Sequence, residues 1–215
     1  MYKYVFFDLD GTVLNTIEDL ANAGNYALSE QGLPTFPTER YKYFVGNGIP
    51  KLIERILPEN SGKELKANTH RLFSEYYSKH CEDNTRPYDG ISELLSGLRE
   101  NGIKSIVITN KDNSYAWELI QKYFGSLIVR VYGSVEGFPK KPDPYWAEKA
   151  LSDLGAEKNE VLYVGDSGVD MQTAKNAGLI SCGVLWGFRK KEELTDNGAV
   201  YICKEPSDIL ELALK

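Results

Sequence analysis

The apolar positions of the chain follow two periods, and the change between them comes early. Tyr4-Val5-Phe6-Phe7 is a short apolar run of strand composition. From about residue 15 the spacing becomes helical. Ile17, Leu20, Ala21, Gly24, Ala27 and Leu28 share one face, and Leu65, Leu72, Phe73, Tyr76 and Tyr77 share another. Residues 15 to about 85 therefore read as helical. Beyond them, β-branched runs at Ile106-Val107-Ile108, Ile128-Val129-Arg130-Val131, Val161-Leu162-Tyr163-Val164 and Ile180 to Leu185 alternate with amphipathic helices. Ile91, Leu94, Leu95 and Leu98 mark one of these helices, and Met171, Ala174 and Ala177 another. This alternation predicts a doubly wound, Rossmann-like parallel α/β sheet. The first apolar run belongs to that sheet, because a buried strand ahead of an all-helical block has nothing to pair with. The expected organisation is an α/β core of residues 1–14 and 86–215, with a helical domain of residues 15–85 inserted after the first strand.

Composition supports a folded chain and narrows its partners. The 215 residues allow one large domain with an insertion but not two large domains. At 42% hydrophobic and 26% charged the chain can bury a core, and disorder throughout is excluded. A net charge of −6 argues against holding nucleic acid by phosphate neutralisation, so an anionic ligand needs a locally positive site. No apolar run is long enough to span a membrane, and Met1-Tyr2-Lys3 leads into a strand rather than a signal peptide. A cytoplasmic protein without membrane or nucleic-acid partners is expected. Cys81, Cys182 and Cys203 are few and far apart in sequence, and read as reduced, buried thiols. Gly46-Asn47-Gly48 lacks the strand context of a dinucleotide fingerprint and reads as a turn.

In open α/β sheets the ligand site lies beyond the carboxyl ends of the strands. The first strand ends in Asp8-Leu9-Asp10-Gly11-Thr12, the run at 106–108 in Thr109-Asn110, and the run at 161–164 in Gly165-Asp166-Ser167-Gly168-Val169-Asp170. Lys141-Pro142 lies between the last two. A lone acid at a strand end is as often a helix cap or a turn residue. Four acids on two strand ends are harder to dismiss. Brought together, Asp8, Asp10, Asp166 and Asp170 cannot all stay ionised without a cation, and their hard oxygens suit Mg²⁺. Lys141 and the Thr109 hydroxyl add a positive charge and a donor. That set describes a phosphate site rather than a hydride- or acyl-transfer site.

Asp8-Leu9-Asp10-Gly11-Thr12, Thr109, Lys141 and Gly165-Asp166 with Asp170 resemble, in this order, the four motifs of the haloacid dehalogenase superfamily. The resemblance covers essentially the whole chain, the helical insertion being similar to that family's small helical cap. Val45-Gly46-Asn47-Gly48 with Leu52-Ile53-Glu54-Arg55, and Trp186-Gly187-Phe188-Arg189, resemble the phosphoglycolate phosphatase branch. The resemblance implies a Mg²⁺-dependent phosphatase of small phosphorylated metabolites. Asp8 is then the nucleophile that forms an aspartyl-phosphate. Asp10 is the acid and base, its carbonyl also ligating the metal. Asp166 is a direct metal ligand and Asp170 an outer one. Thr109 and the Asn110 backbone hold the phosphoryl oxygens, and Lys141 neutralises them and orients Asp8.

In the cap, Gly46 and Asn47 resemble a loop that reaches over the active site. Lys51 and Arg55, one turn apart, share a helix face that suits a substrate carboxylate, an exposed basic face being the plain alternative. Arg189 reads equally as a surface cation among neighbouring lysines. Asn15 stands where the family often has Asp. A sugar phosphomutase of the same fold is the alternative to hydrolysis, with a pyrophosphatase behind it. A dehalogenase is disfavoured because it has no use for an acid at position 10.

Overall fold

The computed structural model describes all 215 residues, and the chain divides into two compact units, Met1–Leu14 with Pro87–Lys215, and Asn15–Arg86, the chain passing from one to the other in the two-residue strands β2 (Leu14–Asn15) and β3 (Arg86–Pro87).

The first unit is built on six parallel strands: β1 (Tyr4–Phe7), β4 (Lys104–Asp112), β5 (Ile128–Ser134), β6 (Val161–Gly165), β7 (Ile180–Val184) and β8 (Tyr201–Cys203), in the order β5-β4-β1-β6-β7-β8. Their near-continuous apolar runs fit strands covered on both faces. On one face pack α5 (Ile91–Glu100), α6 (Asn113–Tyr123) and α10 (Pro206–Leu214), through Leu94, Leu95, Leu98, Leu119, Ile120 and Ile209. On the other lie α7 (Tyr145–Leu154) and α8 (Gly168–Ala177), through Ala147, Leu151, Ala174 and Ala177. The chain runs outward from β1 to β4 and β5, then returns to the far side of β1 as β6. The direction of winding reverses between β1 and β6, which is where such sheets open a crevice at their carboxyl ends.

Strand β8 and α9 (Lys191–Asp196) are absent from the sequence expectation. Three residues of strand, and six of helix with one buried apolar side chain, carry too little periodicity to read. Strand β4 also runs past its expected end at Ile108, with a register shift against β5 between Ile108 and Asp112. Cys182 and Cys203, on β7 and β8, are buried free thiols with their sulfurs 3.2 Å apart, and Cys81 is a third. No helix is long and apolar enough to cross a membrane.

The second unit holds α1 (Ile17–Ser29), α2 (Thr38–Phe44), α3 (Ile49–Ile56) and α4 (Lys63–His80). Ile17, Leu20, Ala21, Gly24, Ala27 and Leu28 form the buried face of α1, and Leu72, Phe73 and Tyr77 that of α4. Gly24 lets Tyr41 of α2 lie against α1, since a Cβ there would run into its ring. The Tyr41 hydroxyl donates to Asn25 Oδ1 at 2.9 Å. Asp19, only 1% exposed, accepts from the backbone N–H groups of Asn84 and Thr85 at 2.9 and 2.8 Å, and from the Asn84 amide and Thr85 hydroxyl at 2.9 and 2.8 Å. It fastens the last residues of the insertion to its first helix.

Candidate active site and metal centre

Strands β1 and β6 are neighbours, so the residues that follow them, Asp8 and Asp166, emerge side by side. Asp170 joins them from the first turn of α8. Its Oδ2 accepts from the Ser167 N–H at 3.1 Å and the Ser167 hydroxyl at 2.6 Å, which fixes the carboxylate at the helix start. The backbone approaches these carboxylates closely at Gly165 and Gly11, as it also does at Gly187. Gly165 passes against the Asp170 side chain, and Gly11, at φ +87°, against the Asp166 carboxylate; a Cβ at either place would collide. One oxygen from each of Asp8, Asp166 and Asp170 lies within 4.8 Å of the others.

Lys141 is buried in this cluster. Its ammonium lies 2.8 Å from Asp8 Oδ1 and 2.7 Å from Asp170 Oδ1, and donates to the Ile108 carbonyl at 3.0 Å. Asn110 holds the lysine's backbone from both sides. Asn110 Oδ1 accepts from the Lys141 N–H at 2.8 Å, and Asn110 Nδ2 donates to the Lys141 carbonyl at 3.1 Å. The Lys141–Pro142 peptide bond is cis. Burial works against the Lys141 charge, but Asp170 and Asp8 outweigh it and keep its pKa well above the lysine range.

The acids are strained electrostatically in the opposite sense. Burial, with the Asp170 charge behind it, pushes Asp8 up to about 7 despite Lys141. Burial, Asp170 and Asp8 likewise hold Asp166 well above the carboxylate range, against the Phe188 N–H and Arg189. Asp8 Oδ1 is ion-paired with Lys141 at 2.8 Å but poorly aligned for a hydrogen bond and has no other donor, so this buried oxygen keeps a lone pair free. A hard divalent cation fits this set. Metal–oxygen bonds of about 2.1 Å put opposite ligands about 4.2 Å apart, within the observed spread. The added charge relieves the repulsion that raises both acids. Asp8 Oδ1 has no hydrogen-bond partner, each Asp166 oxygen accepts a single donor, from Thr12 and from the Phe188 N–H, and Asp170 is the most engaged, with two donors on Oδ2 and Lys141 on Oδ1.

The Asp10 carboxylate is not part of this cluster, contrary to the expectation of four converging acids. It faces Lys111, whose Nζ lies 3.1 and 3.4 Å from its two oxygens. The spacing from Asp8 sets only the face of the segment, and the nearest cation decides where the side chain settles. Sequence reading missed Lys111. It stands with Thr109 and Asn110 in the stretch of β4 where the register against β5 shifts between Ile108 and Asp112. Thr109 is buried, and its Oγ1 accepts from the Lys111 N–H at 3.2 Å.

A second layer comes from the segment after β7. The Phe188 N–H donates to Asp166 Oδ2 at 2.7 Å, and Trp186 Nε1 donates to the Thr12 carbonyl at 2.9 Å. The Arg189 side chain is 8% exposed and pairs with Glu193 at 3.3 Å. It is therefore not the surface cation that its lysine-rich surroundings suggested.

In the second unit, Gly46 and Gly48 have φ of 108° and 83° and form a turn between α2 and α3. Arg55 closes it, donating to the Phe44 carbonyl at 2.8 Å and to Asn47 Oδ1 at 2.7 Å. Lys51, 53% exposed, pairs with Glu54 at 2.8 Å. Within this unit the two basic residues thus have different surroundings: Arg55 shapes the turn, while Lys51 lies in an exposed pair of little energetic weight.

Comparison with known proteins adds an independent finding. Residues 5–184 match the haloacid dehalogenase-like hydrolase family. The chain is 30% identical to a phosphoglycolate phosphatase of Vibrio parahaemolyticus, over 98% of this chain and 95% of that protein. It is 35% identical to a phosphoglycolate phosphatase of Neisseria gonorrhoeae, over 86% and 80%. The crystal structure of a candidate phosphoglycolate phosphatase from Lactobacillus delbrueckii subsp. bulgaricus superposes with a TM-score of 0.94 at 30% identity, covering 99% of this chain and 98% of that one.

Proposed function

The chain belongs to the haloacid dehalogenase-like hydrolase family, and from that premise we propose that it is a Mg²⁺-dependent phosphatase. It hydrolyses small phosphomonoesters through an aspartyl-phosphate, with 2-phosphoglycolate as the leading substrate. The observation that carries the reading is the buried Asp8 carboxylate. It is held against Lys141, lies next to Asp166, and keeps one oxygen without an aligned donor.

Asp8 attacks phosphorus in line; its new O–P bond forms as the bond to the leaving alkoxide breaks. Asp10 delivers a proton to that alkoxide and later takes one from the water that attacks phosphorus and frees Asp8. Lys141 and the Thr109 hydroxyl hold the phosphoryl oxygens, and Lys141 also keeps Asp8 aligned. Asn110 acts through Lys141, fixing its backbone. Asp8, Asp166 and the Asp10 carbonyl would hold Mg²⁺, with Asp170 behind them; when bound, the metal supplies charge neutralisation for the phosphoryl group. Thr12 and the Phe188 N–H orient Asp166 from the rear. The Asn15–Arg86 unit corresponds to the family's helical cap.

Similarity to phosphoglycolate phosphatases along nearly the whole chain supports the choice of substrate. Steady-state phosphate release from a panel of phosphorylated metabolites, with Mg²⁺ and with EDTA, tests it. The expected result is Mg²⁺-dependent release with the highest kcat/KM on 2-phosphoglycolate. Full activity in EDTA contradicts the metal requirement. Isomerisation of a sugar phosphate without phosphate release would favour a mutase instead.

A further inference from the structure

The first unit buries two lysines among its strand-end acids, and the mechanism above uses only one. Lys141 serves the nucleophile. Lys111, its side chain 5% exposed, lies against Asp10, the acid that meets the leaving group. A lysine stem this deep is rarely retained without a partner of opposite charge. Its position beside Asp10 puts a fixed positive charge where the alcohol half of the substrate must lie. We propose that Lys111 is a specificity-determining residue that binds a carboxylate on the leaving alcohol, and so selects phosphomonoesters of 2-hydroxy acids. This rests on the phosphatase reading and deepens it.

The distances agree. Proton transfer needs the ester oxygen within about 3 Å of an Asp10 oxygen, and Lys111 Nζ is 3.1 Å from Asp10 Oδ1. A carboxylate on the carbon next to the ester oxygen is the nearest second anion a phosphomonoester can carry, and it falls within reach of the same ammonium. Sharing one ammonium between two carboxylates has a precedent within this unit, since Lys141 lies 2.8 Å from Asp8 and 2.7 Å from Asp170. The assignment also frees the cap residue Arg55 from a role that conflicts with its clasp on the Asn47 turn.

The test compares 2-phosphoglycolate with ethyl phosphate, in which a methyl group replaces the carboxylate. Both alkoxides need the Asp10 proton, so a residue that only positions Asp10 affects them alike. The readout is the ratio of kcat/KM on the two substrates in wild type, Lys111→Met, Lys111→Gln and Lys111→Arg, all with Mg²⁺. The wild type should favour 2-phosphoglycolate. Lys111→Met and Lys111→Gln should lower the ratio by about 10- to 100-fold, the worth of a charged hydrogen bond, chiefly through KM. Lys111→Arg should recover part of the preference. Gln, which keeps polarity without charge, provides the result if the Met variant does not fold. A ratio unchanged in the soluble neutral variant, with both substrates falling together, overturns the proposal and leaves Lys111 as a positioning residue. A wild type that hydrolyses ethyl phosphate as well as 2-phosphoglycolate overturns it too, with the phosphatase reading intact. Only a wild type that releases phosphate from no monoester removes both.

Discussion

The two units each bury a carboxylate, and they treat it in opposite ways. Asp19, in the helical unit, is surrounded by donors: two backbone N–H groups, an amide and a hydroxyl, all between 2.8 and 2.9 Å. Asp8, in the α/β unit, is set beside two other acids and one lysine, and one of its oxygens has no aligned donor. A folding chain has every reason to satisfy a buried carboxylate, and Asp19 is what success looks like. Leaving Asp8 under-satisfied destabilises the unit and reserves an oxygen for a ligand. Burial alone therefore does not identify a functional acid. The state of its lone pairs does.

The largest expected effect of breaking this contrast is on turnover. Asp8→Asn removes the nucleophile and should lower kcat by at least about 10⁴-fold, while the metal-free protein unfolds no earlier than wild type, because a repelled charge has gone. Residual activity within about 100-fold of wild type would mean that another group attacks phosphorus. Next in size is Asp10→Asn. It should lower kcat by about 10² to 10⁴ on ethyl phosphate and far less on p-nitrophenyl phosphate, whose leaving group departs as an anion. Equal losses on the two esters point to a structural role for the Asp10–Lys111 pair.

The metal-free site should also have a pH signature. Asp8 has an ordinary value of 3.8 and a folded value of about 7. Between these the folded protein binds more protons than the unfolded chain, so its stability falls as pH rises. The loss is absent below about pH 4 and complete above about pH 7, on the order of 4 kcal/mol. Asp166, raised for the same reason, adds to it. Urea unfolding at pH 5 and pH 8, in EDTA and in Mg²⁺, measures this. Mg²⁺ should stabilise more at pH 8, and Asp8→Asn should flatten the EDTA slope. Metal-free stability that rises over this interval contradicts the electrostatic account.

The smallest effect should come from the satisfied acid. Asp19→Ala strands the donors of Asn84 and Thr85 and should destabilise by about 3 kcal/mol. Its kcat below the melting transition should stay within threefold of wild type. A loss of kcat as large as that of Asp10→Asn would dissolve the distinction between the two buried carboxylates.

Strands β1, β4, β5, β6 and β7 were legible because each carries a run of β-branched or aromatic residues. The three converging acids and Lys141 were legible because they follow strands in a recognisable order. Other features were set by tertiary neighbours that leave no periodic trace. Lys111 looks like any lysine after Thr-Asn until the fold sets it against Asp10. The sequence points to the Asn110 backbone and leaves unmarked its side chain, which grips Lys141. Asp19 reads as an ordinary first-turn acid of α1, with nothing to mark its partners 65 residues away. Arg189 sits among lysines in sequence but under cover in space.

The central claim is that Asp8 becomes covalently phosphorylated. Rapid acid quench of the Mg²⁺-loaded enzyme during turnover of 2-phosphoglycolate, followed by peptide mass spectrometry, tests it directly. A phosphoryl group on the peptide that carries Asp8, formed within one turnover and missing from Asp8→Asn, is the predicted result. Phosphate release without any label at Asp8, or an undiminished label on the Asp8→Asn protein, would contradict the account.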